Sequence, residues 1–297
     1  MSDQLNEEKL QCMESDNEQY LHLVVSKDCW IQRAGQVIGD SKSLRYLDIE
    51  IRSGDKEGAW LGELMLHLPR NRSIWELRLC LQPSSDTPAN FYNYELEWDI
   101  FQMLRPFIEN NSNLEELDLD GGTRHMLGSL SSALLSCKNK RLKRIYLRDI
   151  EAGGDFGQMF RSLAEYRFLF EITLISNDLG VEGCKALSQL IQTSRLYDLR
   201  LVDNELDDDC IAIMCDGLIK NDTIHNLELR SNPMTATGWK TLCTTFSNHP
   251  MWPIETLSLV ETDMDDEGVT LLGKALAEYN ALDSLDLSFN NSITLEG

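Results

Sequence analysis

A chain of 297 residues, 42% hydrophobic and 26% charged, can bury a sizeable core in the manner of an ordinary globular protein. Its 49 acidic against 27 basic residues leave a formal charge of −22, which argues against the phosphate-neutralising face that nucleic-acid affinity depends on. An anionic membrane surface would repel it as well, and the acidic excess either steers a protein partner with a basic surface or simply keeps the chain soluble.

In chain order, residues 1–17 are polar and acidic, carry no periodicity and read as a flexible tail. They lack the basic start and apolar stretch of a secretory signal, and no apolar run in the chain reaches the length of a membrane span. Cytoplasm or nucleus is the compartment this implies. From residue 18 onward a frame repeats. Leu21 and Leu23 give a half-legible entry, followed by Leu44, Leu47, Ile49; Ile74, Leu77, Leu79; Leu114, Leu117, Leu119; and Leu142, Ile145, Leu147. The frame is then completed by a ninth position: Leu169, Ile172, Leu174, Asn177; Leu196, Leu199, Leu201, Asn204; Ile224, Leu227, Leu229, Asn232; Ile254, Leu257, Leu259, Thr262; and Leu282, Leu285, Leu287, Asn290. First positions are separated by 30, 40, 28, 27, 27, 28, 30 and 28 residues. Fourteen residues after a first position stands Gly58, Gly128, Gly183, Gly238 or Gly268, and apolar residues at helical spacing follow, as in Leu187, Leu190 and Ile191. Each unit therefore reads as a short strand, a tight loop and a helix.

Stacking such units predicts a curved solenoid. Parallel strands lie about 4.8 Å apart and packed helices roughly 8–10 Å apart, so the strands must take the inner side of the bend. Frame positions 1, 4 and 6 should point into the stack, and the asparagine at position 9 should bond loop backbone groups that burial would otherwise leave unpaired. Arg52, Gln82 and Gly122 hold that position in the first three full frames, so their loops should be less regular.

Two departures interrupt the period. The step from Ile74 to Leu114 carries an insertion near residues 82–99, with Phe91, Tyr92, Tyr94 and Trp98. Insertions in solenoids leave through loops, so these rings are either a partner's hot spot or tucked onto the helical side. The last frame ends at Gly297, fifteen residues after Leu282. Its helix is missing, so the chain is either part of a longer protein or covered at that end by something else, including end-to-end association of an otherwise monomeric chain. Residues 18–297 make one domain of about ten units with the last incomplete.

Units of 27 to 30 residues reading L-x-x-L-x-L-x-x-N-x-L-x-x-x-G resemble ribonuclease-inhibitor-like leucine-rich repeats. That resemblance covers roughly residues 18–297 and implies an α/β solenoid, a right-handed βα horseshoe with its parallel sheet on the concave face and its helices on the convex face. The same family forms the ligand-sensing ends of some immune receptors and the body of a Ran GTPase-activating protein. It therefore implies protein binding without naming a partner.

Chemistry is sparse. Cysteines 12, 29, 80, 137, 184, 210, 215 and 243 form no Cys-x-x-Cys pair and read as buried free thiols. Asn71, Asn110, Asn221 and Asn290 open Asn-x-Ser/Thr triplets, and without a secretory signal glycosylation has no route to them. The common catalytic signatures are absent, and the five histidines at 22, 67, 125, 225 and 249 fall in different repeats. Asp263, Asp265, Glu267 and Gly268 imitate the opening of a calcium loop, but Lys274 stands where its bidentate glutamate belongs. Asp207, Asp208 and Asp209 suit a helix N-terminus. No catalytic, cofactor-binding or metal-binding residue is assigned.

Recognition should instead fall on frame positions 3, 5 and 7, which alternation turns outward on the concave face. Arg144, Tyr146 and Arg148 lie beside Glu116, Asp118 and Asp120, predicting lateral ion pairs. Farther on, Ile175, Val202 and Val260 are apolar at outward positions, with Arg200 and Arg230 beside them. Arginine, tyrosine and aliphatic groups on a rigid face have the composition of an interface centre. The chain thus reads as a non-catalytic scaffold that needs no cofactor. The alternatives are a GTPase-activating protein of the Ran-regulator type, which only the resemblance suggests, and the sensing fragment of a longer signalling protein.

Overall fold

A computed structural model describes residues 19–25, 31–53, 66–83, 104–153, 155–232, 234–249, 253–277 and 281–294. The 1–17 segment and Phe91, Tyr92, Tyr94 and Trp98 lie outside the described residues. Every legible frame forms a strand. These are β1 (Tyr20–Val25), β2 (Tyr46–Ser53), β3 (Glu76–Pro83), β4 (Glu116–Thr123), β5 (Arg144–Glu151), β6 (Glu171–Ile175), β7 (Asp198–Val202), β8 (Asn226–Glu228), β9 (Thr256–Ser258) and β10 (Ser284–Asp286). Sheet order equals sequence order from β1 to β10, the signature of a leucine-rich-repeat solenoid of the α/β class. The chain divides into two compact units, 1–150 and 151–297.

In the first unit β1 to β4 pair parallel, with equal frame positions side by side, as in Leu47↔Leu77 and Leu77↔Leu117. Those leucines are fully buried, and Ala34 and Ile38 of the helix Ile31–Asp40 join the same core. The strands β2, β3 and β4 run eight residues each. Their length accompanies the absence of an asparagine at position 9, where the sequence has Arg52, Gln82 and Gly122.

The second unit, which the helix Gly157–Leu163 opens, stacks Ile172, Leu199, Leu227 and Leu257 in one buried column. Its strands stop after three to five residues. At frame position 8 the backbone turns left-handed in every repeat, with φ of 53° at Ser176, 55° at Asp203 and Ser231, 56° at Glu261 and 61° at Phe289. Such a conformation costs an L residue about 1–2 kcal/mol, and the neighbouring position-9 side chain holds it. Asn232 donates from Nδ2 to the carbonyls of Leu201 (2.7 Å), Leu229 (3.1 Å) and Arg230 (2.9 Å) and accepts at Oδ1 from the Asn204 amide (2.9 Å). Asn204 donates to Leu174 and Val202 in the same way, and Asn290 to Leu259 and Leu287. Thr262 keeps part of the pattern, its hydroxyl donating to the Leu259 carbonyl at 2.9 Å.

A second asparagine column lies three residues before the first leucine. Asn71 Nδ2 donates to Ile38 and Ser41, while its Oδ1 accepts from the amides of Ser73 and Ile74. Asn221 repeats this with Ile191, Thr223 and Ile224, and Asn111 accepts from Asn113 and Leu114. Of the asparagines opening Asn-x-Ser/Thr triplets, Asn71, Asn221 and Asn290 are buried backbone clamps.

The helices begin where their sequences suggest. Asp207 caps the helix Asp208–Leu218 by accepting from Cys210, and Asp265 caps Asp266–Leu276 by accepting from Gly268, which commits the calcium-like carboxylate to the backbone. Repeat glycines sit within these first turns because a Cβ would collide there: at Gly238 it would meet Asp208 Oδ1 at 2.4 Å. Gly128 differs, facing open space. Cys80, Cys137, Cys184, Cys210, Cys215 and Cys243 are all buried free thiols. Among the described residues no helix is long and apolar enough to cross a membrane.

Candidate protein-binding surface

On the first unit the outward strand positions form a lateral ion-pair array. His22 Nε2 lies 3.7 Å from Glu50 and 3.9 Å from Asp48. Arg78 reaches Asp48 at 4.0 Å and Asp118 at 3.5 Å, and Arg148 closes on Asp118 at 2.7 Å. Arg144 pairs with Glu116. The expected lateral pairs are therefore present. Burial pushes the Asp118 carboxyl above its ordinary value, and the guanidiniums of Arg148 and Arg78 oppose that rise. Burial and the neighbouring Glu116 raise Glu76 in the same direction. Tyr146 lies beneath the Arg148 guanidinium, 5.9 Å from its ring centroid. The arginines of this patch are thus largely occupied by their own sheet.

On the second unit Ile175 and Val202 stand in register on neighbouring strands, both half-buried. Arg200 is exposed but clasped by Asp198 through two bonds, Nε to Oδ1 at 2.9 Å and Nη2 to Oδ2 at 2.7 Å. Asn226 donates to the same carboxylate. Arg230 is exposed, while Val260 is only 5% exposed and offers a partner little surface. The register thus brings Ile175, Arg200, Val202 and Arg230 onto one face.

One feature of this unit escaped the strand-position columns. Frame position 2, just before each strand, carries Phe170, Tyr197 and His225, whose rings stack at 5.0 and 4.3 Å between centroids. Backbone bonds from Tyr197 N to Phe170 O and from His225 N to Tyr197 O, both 2.9 Å, set that spacing. Two residues before Phe170 in the chain, Phe168 is 66% exposed. Reading position 2 as a column would have found the stack.

Strand–loop–helix units at this period, clamped by a buried position-9 asparagine, define a leucine-rich-repeat solenoid, and the relatives it matches include ribonuclease inhibitor. No family model matches the chain. It is similar to mouse (Mus musculus) ribonuclease inhibitor, 30% identical over 189 residues that cover 62% of this chain and 41% of that protein. It is also similar to human (Homo sapiens) NACHT, LRR and PYD domains-containing protein 14, 25% identical over 206 residues, 68% of this chain and 19% of that protein. The matches thus span well under half of the length of these relatives. Among solved structures it resembles a chain of the yeast Rad7 and Elc1 complex at a TM-score of 0.45 and 14% identity, covering 95% of this chain and 73% of that one. A likeness that loose carries no argument about function.

Proposed function

We propose that this chain is a non-catalytic protein-binding scaffold that holds a protein partner against the strand-borne face of its 151–297 unit. The observation behind this reading is the pairing of half-buried Ile175 and Val202 with exposed Arg200 and Arg230 on a rigid sheet. Apolar surface at the centre and guanidiniums around it are what interface centres use. Arg144, Tyr146 and Arg148 on the first unit, whose guanidiniums are already engaged with Glu116 and Asp118, are a secondary contact patch. The charge of −22 favours a partner with a basic surface and disfavours nucleic acid and membranes. The relative's name, ribonuclease inhibitor, denotes action on a protein, which agrees with this reading. No cofactor takes part, and the chain works in the cytoplasm or nucleus.

The test compares proteins captured from native lysate by wild type, by an Arg200→Glu, Val202→Glu variant and by a helix-face Lys185→Glu control, after circular dichroism confirms folding. A partner retained by wild type and control but lost by the sheet variant supports the proposal. An identical set on all three refutes it.

A second reading, the recognition end of a longer signalling protein, is favoured by the similarity to NACHT, LRR and PYD domains-containing protein 14. A transcript encoding a nucleotide-binding domain in frame with these repeats would support it. Leu285 and Phe289 are 41% and 71% exposed on the last repeat and supply the surface for end-to-end association. Sedimentation of a Leu285→Asp, Phe289→Asp variant against wild type tests that contact.

A further inference from the structure

Away from the strand faces, the first unit holds an open cleft of about 640 Å³ where successive helix-to-strand turns meet. Its lining includes Lys42, Arg45, Arg70 and Arg72, with Asp40 the single carboxylate among the lining residues. Four cations around one acid is the reverse of the chain as a whole, where acids outnumber bases 49 to 27. Elsewhere on this unit Arg78, Arg105, Arg141, Lys143, Arg144 and Arg148 are each paired with a carboxylate. Among the described residues Arg45, Arg70 and Arg72 make no ion pair, although Asp and Glu are the commonest charges available to them.

The cleft is also built. Asn71 fastens its two walls together, donating to Ile38 and Ser41 on one turn while accepting from Ser73 and Ile74 on the other, and Ser73 Oγ donates to Ser41 O at 3.0 Å. The Arg45 guanidinium lies 5.5 Å from the ring centroid of Trp75, a placement that fixes its plane. Its hydrogen bonds to the carbonyls of Lys42, Leu44 and Ser73 all leave from Nη1, so Nε and Nη2 remain free to meet a ligand. Arg72 is held by one bond from Nη1 to Pro69 O at 2.9 Å, and Arg70 is exposed at the end of the short helix Leu68–Arg70. Concentrating like charges costs free energy unless an anion neutralises them.

We propose that this cleft binds a compact anion carrying two phosphate groups. Two phosphates bring about three to four negative charges at pH 7, against which Arg45, Arg70 and Arg72 set three guanidiniums that make no ion pair among the described residues. Guanidiniums meet phosphate oxygens through paired N–H donors, which suits Arg45, Arg70 and Arg72 better than Lys42, a point charge. The volume falls within the range of small-molecule sites, roughly 300–1,000 Å³. This site goes beyond the protein-binding face and stands or falls independently of it. The same chemistry is offered by a soluble diphosphate and by a phosphorylated lipid headgroup.

Calorimetric titration of the full chain with inorganic pyrophosphate tests the site, alongside Arg70→Ala, Arg72→Ala and Arg70→Lys, Arg72→Lys double variants and a Lys240→Ala control on the other unit. One-to-one binding is expected, weakened by about a hundredfold in the alanine variant if each guanidinium contributes a factor of ten. The lysine variant should fall in between and the control should match wild type. Absence of binding, or equal binding by wild type and the alanine variant, overturns the proposal. Vesicles of phosphatidylcholine containing phosphatidylinositol bisphosphate identify the source. Co-sedimentation that pyrophosphate displaces supports the site with a headgroup as ligand; pyrophosphate binding without co-sedimentation supports it with a soluble one.

Discussion

Replacing Asn232 with alanine should damage the second unit more than any surface substitution. Asn232 is fully buried and makes five hydrogen bonds: three donated to Leu201, Leu229 and Arg230, and two accepted from the amides of Asn204 (2.9 Å) and Leu206 (3.3 Å). A net hydrogen bond contributes about 1 kcal/mol, and a partner left buried and unpaired costs about 1–3 kcal/mol. The long bond to Leu206 and the half-buried Arg230 carbonyl count for little, so the loss should be about 3 kcal/mol. Repeat arrays couple mainly to nearest neighbours. Hydrogen-exchange protection should therefore fall most at the Asn204 and Leu206 amides, and the urea midpoint of the far-ultraviolet signal should drop. Asn232→Thr should cost about half as much, because Thr262 shows that a hydroxyl at this position retains one donated bond. The exposed Asn291→Ala is the reference. An Asn232→Ala loss below about 0.5 kcal/mol, the range of ordinary surface changes, would refute the clamp.

Gly121→Ala should destabilise by about 1–3 kcal/mol, since φ there is +83° and a Cβ would meet Leu81 O at 2.4 Å. Gly128→Ala, in a helix with open space around it, should instead stabilise by about 0.5–1 kcal/mol, and thermal melts would separate the two signs. Burial pushes the thiols of Cys80, Cys215 and Cys243 up to about 11, aided at Cys80 by Asp120. At pH 8 only about one in a thousand is thiolate, so iodoacetamide should label these three only after denaturation, as mass spectrometry would show. The Thr294 hydroxyl and amide, at 2.6 and 2.7 Å, hold the Asp266 carboxyl below its ordinary value. Because the folded pKa is the lower one, this bonding stabilises above the unfolded value and is lost as pH falls through the folded one. A carbon-13 titration of Asp266 should show the low midpoint, and Thr294→Val should move it back toward an ordinary aspartate.

The repeat frame was legible because each leucine must face the stack, and a residue facing the stack in one unit faces it in all. Reading Leu47, Leu77 and Leu117, or Ile172, Leu199 and Leu227, as equivalent positions placed every strand and the position-9 clamp. The outward positions of those strands were legible for the same reason. Exposure was not, since Val260 occupies an outward position and is nevertheless buried. The second clamp at Asn71 and Asn221 was hidden, because its partners Ile38 and Ile191 lie in the preceding helix, about thirty residues upstream. The period, the strand register and the inward leucines are consequences of local pattern and can be read along the chain. Which arginines are spent in ion pairs and which face a cleft depends on the folded arrangement. The turns that bring Arg45, Arg70 and Arg72 together belong to different repeats, and charge neutralisation depends on distance in space rather than along the chain.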